Sequence, residues 1–426
     1  MQSGYLLRSM KTSKQQWICC QIGAREHYAV PRCLQTIDSL GGLITDIWSS
    51  PTSLPRLLPF GSAPLRQRYH SDIHSRKVRA FNRSSLAFEL RARLTRIDDW
   101  QKIVARNRWF QKCAIRQLEK IRPRHAQPEG GQPVLFAYSY AARELFQFAR
   151  THGWLTVLGQ IDPGPVEERL VGEEHARQSQ FSTSWKPAPR EYWESWRDEC
   201  ELADRIVVNS EWSRHALVED GVDAGRIHII PLAYNASEES QQFEREYPKT
   251  FSKQRPLRVL FLGQVILRKG LAALLEAANL LEGKPVEFLM VGSPGIDVSQ
   301  LAGAHPNVKW IGPVPRAQVH DYYRSSDVFL FPTLSDGFGL TQLEAQAWKL
   351  PLIASPYCAK VAQPGVNGLL LQAVSGEEIA AALKTCLTEP ERLTEFARNS
   401  VVSEKYSLKQ VANRFDALAG SSCPDH

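Results

Sequence analysis

A chain of 426 residues with 43% apolar residues is too long for one ordinary domain and apolar enough to bury more than one sizeable core. Its net charge of +7 leaves anionic surfaces and anionic substrates open as partners, while the absence of any run of about 18 apolar residues excludes a membrane-spanning helix. None of its eight cysteines stands in a Cys-x-x-Cys pair, so zinc and thioredoxin-type chemistry are not signalled, and scattered thiols in a chain this size read as reduced and cytoplasmic.

The opening stretch "MQSGYLLRSMKTSKQQW" has no apolar core of signal-peptide length. "WICCQIG" (17–23) predicts a strand ending in glycine, and "GGLITDIW" the next. Residues 85–121 predict basic helix, and residues 56–124 carry 18 Lys and Arg against 5 Asp and Glu. Such a stretch is either a solvated helical face or a surface for an anionic membrane, an acidic substrate or nucleic acid. Arg91, Arg93, Arg96, Lys102 and Arg106 are its candidates for peripheral contact with an anionic membrane. "VLFAYS" (134–139), "WLTVLGQID" (154–162), "RIVVNS" (205–210) and "RIHIIPLA" (226–233) are strand-like, with helices such as "YAARELFQFARTHG" between them. In "PREYWESWRDEC" the rings of Tyr192, Trp193 and Trp196 suit either the buried face of a helix or stacking on acceptor sugars. The alternation of strand and helix predicts one α/β domain over residues 1–240. The polar stretch 235–256, without apolar periodicity, is the linker candidate.

A second α/β domain is predicted over residues 255–404. Its strands are "LRVLFLG" (257–263), "VEFLMVG" (286–292), "VKWIG" (308–312), "DVFLFPT", "LIAS" and "GLLL". The helix 270–284 has apolar residues at 271, 274, 275, 278 and 281. Further helices are expected at 317–326, at "LTQLEAQAWK" and at "SGEEIAAALKTCLTE". In the segment 405–426, Leu408, Val411, Ala412, Phe415 and Leu418 form the apolar face of a last helix.

In an open parallel sheet, ligands bind beyond the carboxyl ends of the strands. Three loops stand there. In "GQVILRKG" (263–270), Arg268 and Lys269 precede a helix, where cations oppose the helix dipole unless an anion binds; the plainer reading is two exposed basic side chains. "GSPG" begins at Gly292. In "SDGFGLTQLEAQAWKLPLIAS", seven residues separate Asp336 from Glu344, and Gly337 and Gly339 lack the Cβ atoms that would keep a ligand off the backbone. Two carboxylates accepting from hydroxyl pairs, with helix amides between them, suit a sugar, a diphosphate and a ribose. Alternatively, Thr341 and Glu344 form a capping box and Asp336 caps its own loop.

Together these loops resemble the retaining glycosyltransferases of family 4 (glycosyl transferases group 1). Their usual Glu-Gly-Phe-Gly, second Glu and Leu-Pro stand here as Asp336-Gly337-Phe338-Gly339-Leu340, Glu344 and Leu350-Pro351. The "GQVILRKG" loop is similar to the family's Gly-Arg…Lys-Gly phosphate loop, and "ADRIVVNSEWSRHAL" and "GRIHIIPLAYN" are similar to the end of its N-terminal domain. The resemblance covers about residues 200–405. It implies the GT-B fold: α/β, two Rossmann-like doubly wound domains facing across a cleft, with segment 405–426 returning to the first. It implies transfer of a sugar from a nucleotide-diphosphate sugar to a sugar or lipid-linked acceptor hydroxyl, with retention. No metal, organic cofactor or nucleic acid is called for.

By the resemblance Asp336 binds donor-sugar hydroxyls, Glu344 the ribose, and Lys269, with Arg268, the diphosphate. Gly263, Gln264, Gly292 and the backbone from Gly337 through Phe338 and Gly339 to Leu340 line the donor. Gly23 and His27, in the loop after the first strand, and Gln160 face it from the acceptor side, with Asp162 as an acceptor-side acid. Gln264 stands where the family has arginine, which Arg268 replaces, and Asp336 is one methylene shorter than the usual Glu. Both departures keep a noncatalytic GT-B binding protein in view. A phosphorylase or epimerase lacks a cofactor-lysine context, and a dinucleotide-dependent dehydrogenase lacks Gly-x-Gly-x-x-Gly after a first strand.

Overall fold

Continuous apolar runs form strands because helices cover both faces of a parallel sheet. The computed structural model describes residues 15–50, 67–95, 97–121, 132–181, 184–298, 301 and 303–420; Arg96 and Cys423 lie outside them. The strands β1 (Trp17–Gln21), β2 (Leu40–Thr45), β3 (Val78–Ala80), β4 (Val134–Tyr138), β5 (Leu155–Gly159), β6 (Arg205–Val208) and β7 (Ile227–Ile229) form one sheet in the order β3-β2-β1-β4-β5-β6-β7. β1 runs parallel to both its neighbours, with Cys19 opposite Leu43 on one side and Phe136 on the other. The second sheet holds β8 (Leu257–Leu262), β9 (Val286–Val291), β10 (Val308–Gly312), β11 (Val328–Phe331), β12 (Leu352–Ala354) and β13 (Gly368–Leu370) in the order β10-β9-β8-β11-β12-β13. The strand order reverses between β1 and β4 in the first sheet and between β8 and β11 in the second, which is where a doubly wound sheet opens a crevice.

The helices in chain order are α1 (Ala29–Thr36), α2 (Asn82–Leu94), α3 (Asp99–Ile121), α4 (Arg143–Thr151), α5 (Pro165–Arg177), α6 (Arg190–Leu202) and α7 (Glu211–Glu219). They continue as α8 (Glu238–Gln242), α9 (Leu271–Leu280), α10 (Val319–Ser325), α11 (Thr341–Ala347), α12 (Gly376–Thr388), α13 (Pro390–Asn399) and α14 (Leu408–Gly420). By contacts the chain divides into two compact units. The first is Met1–Gly159, Glu194–Ile206 and Ala412–His426; the second is Gln160–Trp193 and Val207–Val411.

In the second unit, two layers of side chains sandwich the sheet. Val259, Phe261, Phe288 and Val328 meet Leu274 and Ala278 of α9 and Ile379 and Leu383 of α12. Leu260, Phe329, Phe331 and Leu352 point the other way, onto Leu343 and Trp348. Each such buried side chain stabilises by roughly 1.5–3 kcal/mol. The polar stretch expected as a linker does not hang free. Arg245 donates to the carbonyls of Tyr323 (2.7 Å) and Trp348 (2.9 Å), the Tyr247 hydroxyl donates to the Asp327 carbonyl (2.9 Å), and Arg255 forks onto Asp327 (2.6 and 2.7 Å). Polar side chains anchor this segment where apolar periodicity is missing.

In the first unit, Phe415 of α14 packs edge-on against Trp17 (5.6 Å) and Phe136 (5.9 Å). Trp196 of α6 is buried, so the helix-face reading holds for that ring, while the Trp193 indole of the second unit donates to Glu168 at 2.8 Å. α2 buries Ser85 and Ala92 and stacks Phe88 on Trp109, leaving Leu86, Leu90 and Leu94 exposed by 63%, 53% and 83%. Among the described residues, no helix is long and apolar enough to cross a membrane.

Candidate functional site

The carboxyl ends of β8, β9 and β11 meet through backbone contacts that only glycine permits. A Cβ on Gly292 (φ 143°) would lie 1.8 Å from the Gly263 carbonyl oxygen, and one on Gly270 (φ 77°) 1.9 Å from that of Pro332. Gly270 therefore clamps the 3-10 turn Leu267–Lys269 onto the segment after β11. The clamp is reinforced where the Leu334 amide donates to the Arg268 carbonyl at 2.8 Å. This places both cations of the turn beside Asp336.

Lys269 forms an ion pair with the Asp336 carboxylate, whose other oxygen accepts from the Phe338 amide at 3.1 Å. Arg268 Nη1 lies 4.0 Å from Asp336 Oδ2 and donates to the Ser335 carbonyl at 3.0 Å. Burial alone would raise the Asp336 carboxyl, but the charges of Lys269 and Arg268 and the Phe338 amide outweigh it and hold the group below the usual carboxylate range. Arg268 also lies 3.3 Å from Glu167 Oε1, on the first turn of α5. Burial pushes the Glu167 carboxyl up to about 7; Arg268 opposes this and the charges of Asp162 and Asp336 add to it.

Glu344 extends from α11, where its Oε2 accepts from the Tyr323 hydroxyl at 2.8 Å. The capping-box alternative is not realised: α11 starts after Leu340 with no side-chain cap. Gly337 and Gly339 also answer to packing within the protein. A Cβ on Gly337 would come 2.6 Å from the Ile161 carbonyl oxygen, and one on Gly339 (φ 82°) 2.6 Å from the Phe331 ring. Protein atoms by themselves require the missing side chains. Phe338 is buried edge-on against Tyr406 (5.9 Å), and its amide donates to Asp336.

Gly263 closes β8 with open space above its Cα, and Gln264 is exposed beside it. Asp162 Oδ1 accepts from the Gly164 amide (2.9 Å) and from Gln160 Nε2 (3.3 Å), which is a turn leading into α5. Gly23 and His27 lie in the first unit. The Gly23 amide donates to Asp46 (2.9 Å), a buried carboxylate also held by Arg68 (3.0 Å) and Arg106 (2.7 Å). Glu26, His27 and Tyr28 follow with φ of 49°, 53° and 60°. Three consecutive left-handed non-glycine residues cost of order 1–3 kcal/mol each.

Arg268, Lys269 and Asp336 thus come together, with Asp162 nearby through Glu167. The sequence reasoning missed Glu167, Ser335 and the Asp46–Arg68–Arg106 cluster. In "GPVEE", Pro165 and the two acids read as an ordinary helix start. Nothing local tells that Glu167 turns towards Arg268 while Glu168 takes the Ala188 amide (2.6 Å). Among the described residues, no group of three or more His, Cys, Asp or Glu side chains is placed to hold a metal ion.

Residues 256–389, which contain this cluster except for Glu167 and Asp162, match the family described as "Glycosyl transferases group 1". The chain is similar to a D-inositol 3-phosphate glycosyltransferase of Rhodococcus erythropolis, with 29% identity over 50% of this chain and 52% of that protein. It spans about half the length of the first such relatives it matches. Among solved structures it is similar to sucrose-phosphate synthase from Thermosynechococcus elongatus (TM-score 0.65, 17% identity, 95% of this chain and 98% of that one). It is also similar to Anabaena HepE in complex with UDP (TM-score 0.59, 14% identity, 95% and 99%). The chain has the GT-B fold of two Rossmann-like parallel-sheet domains, and within it residues 256–389 are the part similar to the glycosyl transferases group 1 family.

Proposed function

We propose that the protein is a retaining glycosyltransferase that moves a sugar from a nucleotide-diphosphate sugar to an acceptor hydroxyl, in glycan, polysaccharide or glycolipid synthesis. The observation that carries this reading is the cluster of Asp336 with Lys269 and Arg268 at the carboxyl ends of β8 and β11. Asp336, kept ionised by its cations, accepts from sugar hydroxyls with the lone pairs that Lys269 and Phe338 leave. Arg268 turns to the diphosphate, Lys269 meets it with the donors that its pair with Asp336 leaves, and the amides of Gly339 and Leu340 supplement them as negative charge builds on the leaving group. Glu344 Oε1 accepts from the ribose while Oε2 stays on Tyr323. The leaving phosphate or a nearby acid takes the acceptor proton, with Asp162 on the acceptor side. The acceptor-side roles of Gly23, His27 and Gln160 belong to the same proposal. The reading asks for no metal or organic cofactor.

The acceptor in this reading is a sugar, a lipid-linked sugar or, by analogy with the Rhodococcus relative, a phosphorylated polyol. Peripheral contact with an anionic membrane is supported by α2. Its exposed Leu86, Leu90 and Leu94 recur at a helical spacing with Arg83, Arg91 and Arg93 on the same helix, whereas Lys102 pairs with Glu89 (2.8 Å) and Arg106 with Asp46 (2.7 Å).

The test is turnover of a panel of uridine and guanosine diphosphate sugars against these acceptors, with the anomeric configuration of the product read by NMR. Transfer with retention is expected. Inversion removes the mechanism. Binding of a nucleotide sugar without transfer or hydrolysis leaves the noncatalytic GT-B binding protein.

A further inference from the structure

Arg268, one of the two cations assigned to the diphosphate, is already engaged. Its Nη1 donates to the Ser335 carbonyl (3.0 Å) and lies 3.3 Å from Glu167 Oε1 and 4.0 Å from Asp336 Oδ2. Lys269 is paired with Asp336. Two cations therefore meet two carboxylates, and the loop has no surplus positive charge to offer a diphosphate. The four side chains are between 14% and 24% exposed, so solvent does little to screen them. Asp336 is locked into its role by Lys269 and the Phe338 amide, which leaves Glu167 as the carboxylate that can yield.

Glu167 is held there by the fold. Gly164 (φ 67°) and Pro165 set the start of α5, and α5 packs on the turn Leu267–Lys269. The groups facing Glu167 are Arg268 from that turn, Asp336 and Ser335 from the loop after β11, and Asp162 from the loop before α5. On its other flank α5 packs on α7, where Arg169 pairs with Glu219 (2.6 Å). A diphosphate gripped by Arg268 would set its negative charge against the Glu167 carboxylate, and like charges within about 4–6 Å favour the protonated acid.

We propose that Glu167 is a proton-coupled counter-ion of the donor site: its carboxylate pairs with Arg268 in the free protein and takes up a proton from buffer when a nucleotide-diphosphate sugar draws the guanidinium away. One O–H bond forms on Glu167, the buffer acid loses that proton, and no covalent bond of the donor changes. This rests on the reading of the site as a nucleotide-sugar site. Burial raises the Glu167 carboxyl to about 7 in the free protein against the opposing charge of Arg268, and an added anion pushes it further in the same direction. Glu167 is a positioning residue in this scheme, since it acts through Arg268.

The experiment is calorimetric titration of the full chain with UDP-glucose and with GDP-mannose, at pH 7 and pH 8, in buffers of different ionisation enthalpy. A nucleotide sugar has no diphosphate group that titrates near neutrality, so the protons counted belong to the protein. Uptake approaching one proton at pH 8 is expected, with affinity falling by up to about tenfold per pH unit. In Glu167→Gln the uptake should vanish and the affinity should become independent of pH in this range. A purely structural Glu167 would alter melting temperature or affinity without changing the proton count. If Glu167→Gln does not fold, Glu167→Asp carries the test: the pH midpoint of uptake should move, and an unchanged midpoint overturns the proposal. Binding without uptake in the parent protein, or uptake retained in Glu167→Gln, overturns the proposal and leaves the nucleotide-sugar reading standing. Absence of binding by parent and variant alike overturns the nucleotide-sugar reading, and the proposal with it.

Discussion

The Tyr323 hydroxyl donates to Glu344 Oε2 at 2.8 Å, which ties α10 to α11 and leaves the second carboxylate oxygen of Glu344 without that partner. A carboxylate fixed through one oxygen is a preorganised acceptor for a vicinal diol. Glu344→Gln should therefore raise KM for the donor and leave kcat nearly constant, because the ribose is gripped equally in ground and transition states. Tyr323→Phe should reproduce part of that effect by loosening Glu344. Unchanged KM in both variants, with both folded, would remove Glu344 from the donor site.

Asp336→Ala should lower kcat/KM by roughly 10- to 150-fold, since a charged hydrogen bond contributes about 1.5–3 kcal/mol and about 1.4 kcal/mol is tenfold. Melting temperatures taken alongside separate this from a loop-capping role, which would cost stability and spare kinetics. Asp336 also has a pH signature. Its folded carboxyl sits below the ordinary value, so it binds fewer protons folded than unfolded over that interval. Its contribution to stability is present above the ordinary carboxylate range and is lost as pH falls through the depressed value. Acid unfolding of Asp336→Asn should lack that increment.

Gly337→Ala should destabilise the protein by about 1–3 kcal/mol, because the new Cβ falls 2.6 Å from the Ile161 carbonyl oxygen and neither backbone can yield cheaply. Gly303→Ala is the control: a Cβ there meets nothing, and the change should stay within about 0.5 kcal/mol. Equal melting temperatures for the two variants would contradict the packing account of Gly337.

The α2 face should bind vesicles rich in phosphatidylglycerol at low salt and release them as salt rises to physiological strength, because exposed charges are screened over about 8–10 Å. Replacing Leu86, Leu90 and Leu94 together by Ser should abolish flotation with the vesicles without lowering stability, since these side chains are mostly exposed. No vesicle binding at low salt would leave α2 as a solvated face. Self-association of the parent protein that the triple variant loses would assign the leucines to a second copy of the chain.

The sequence by itself determined the α/β class and most strands of both sheets. Apolar runs such as "LRVLFL" and "VLFAY" become strands wherever they stand, because a parallel sheet buries both faces. It also marked Arg268 and Lys269, which stand just before Gly270, and Asp336 and Glu344, separated by seven residues that include Gly337 and Gly339. Tertiary structure decided how those marks are used. Gly337 and Gly339 make room for Ile161 and Phe331, a purpose set by backbone 176 and side chain 8 positions earlier in the chain (337 − 161 and 339 − 331). Segment 235–256 lacks periodicity and yet is docked by Arg245, Tyr247 and Arg255. Glu167 becomes part of the site only when α5 is laid against a turn 101 residues further along the chain. Local periodicity reports whether a side chain will be buried; which charge it meets there depends on contacts between segments that no local pattern encodes.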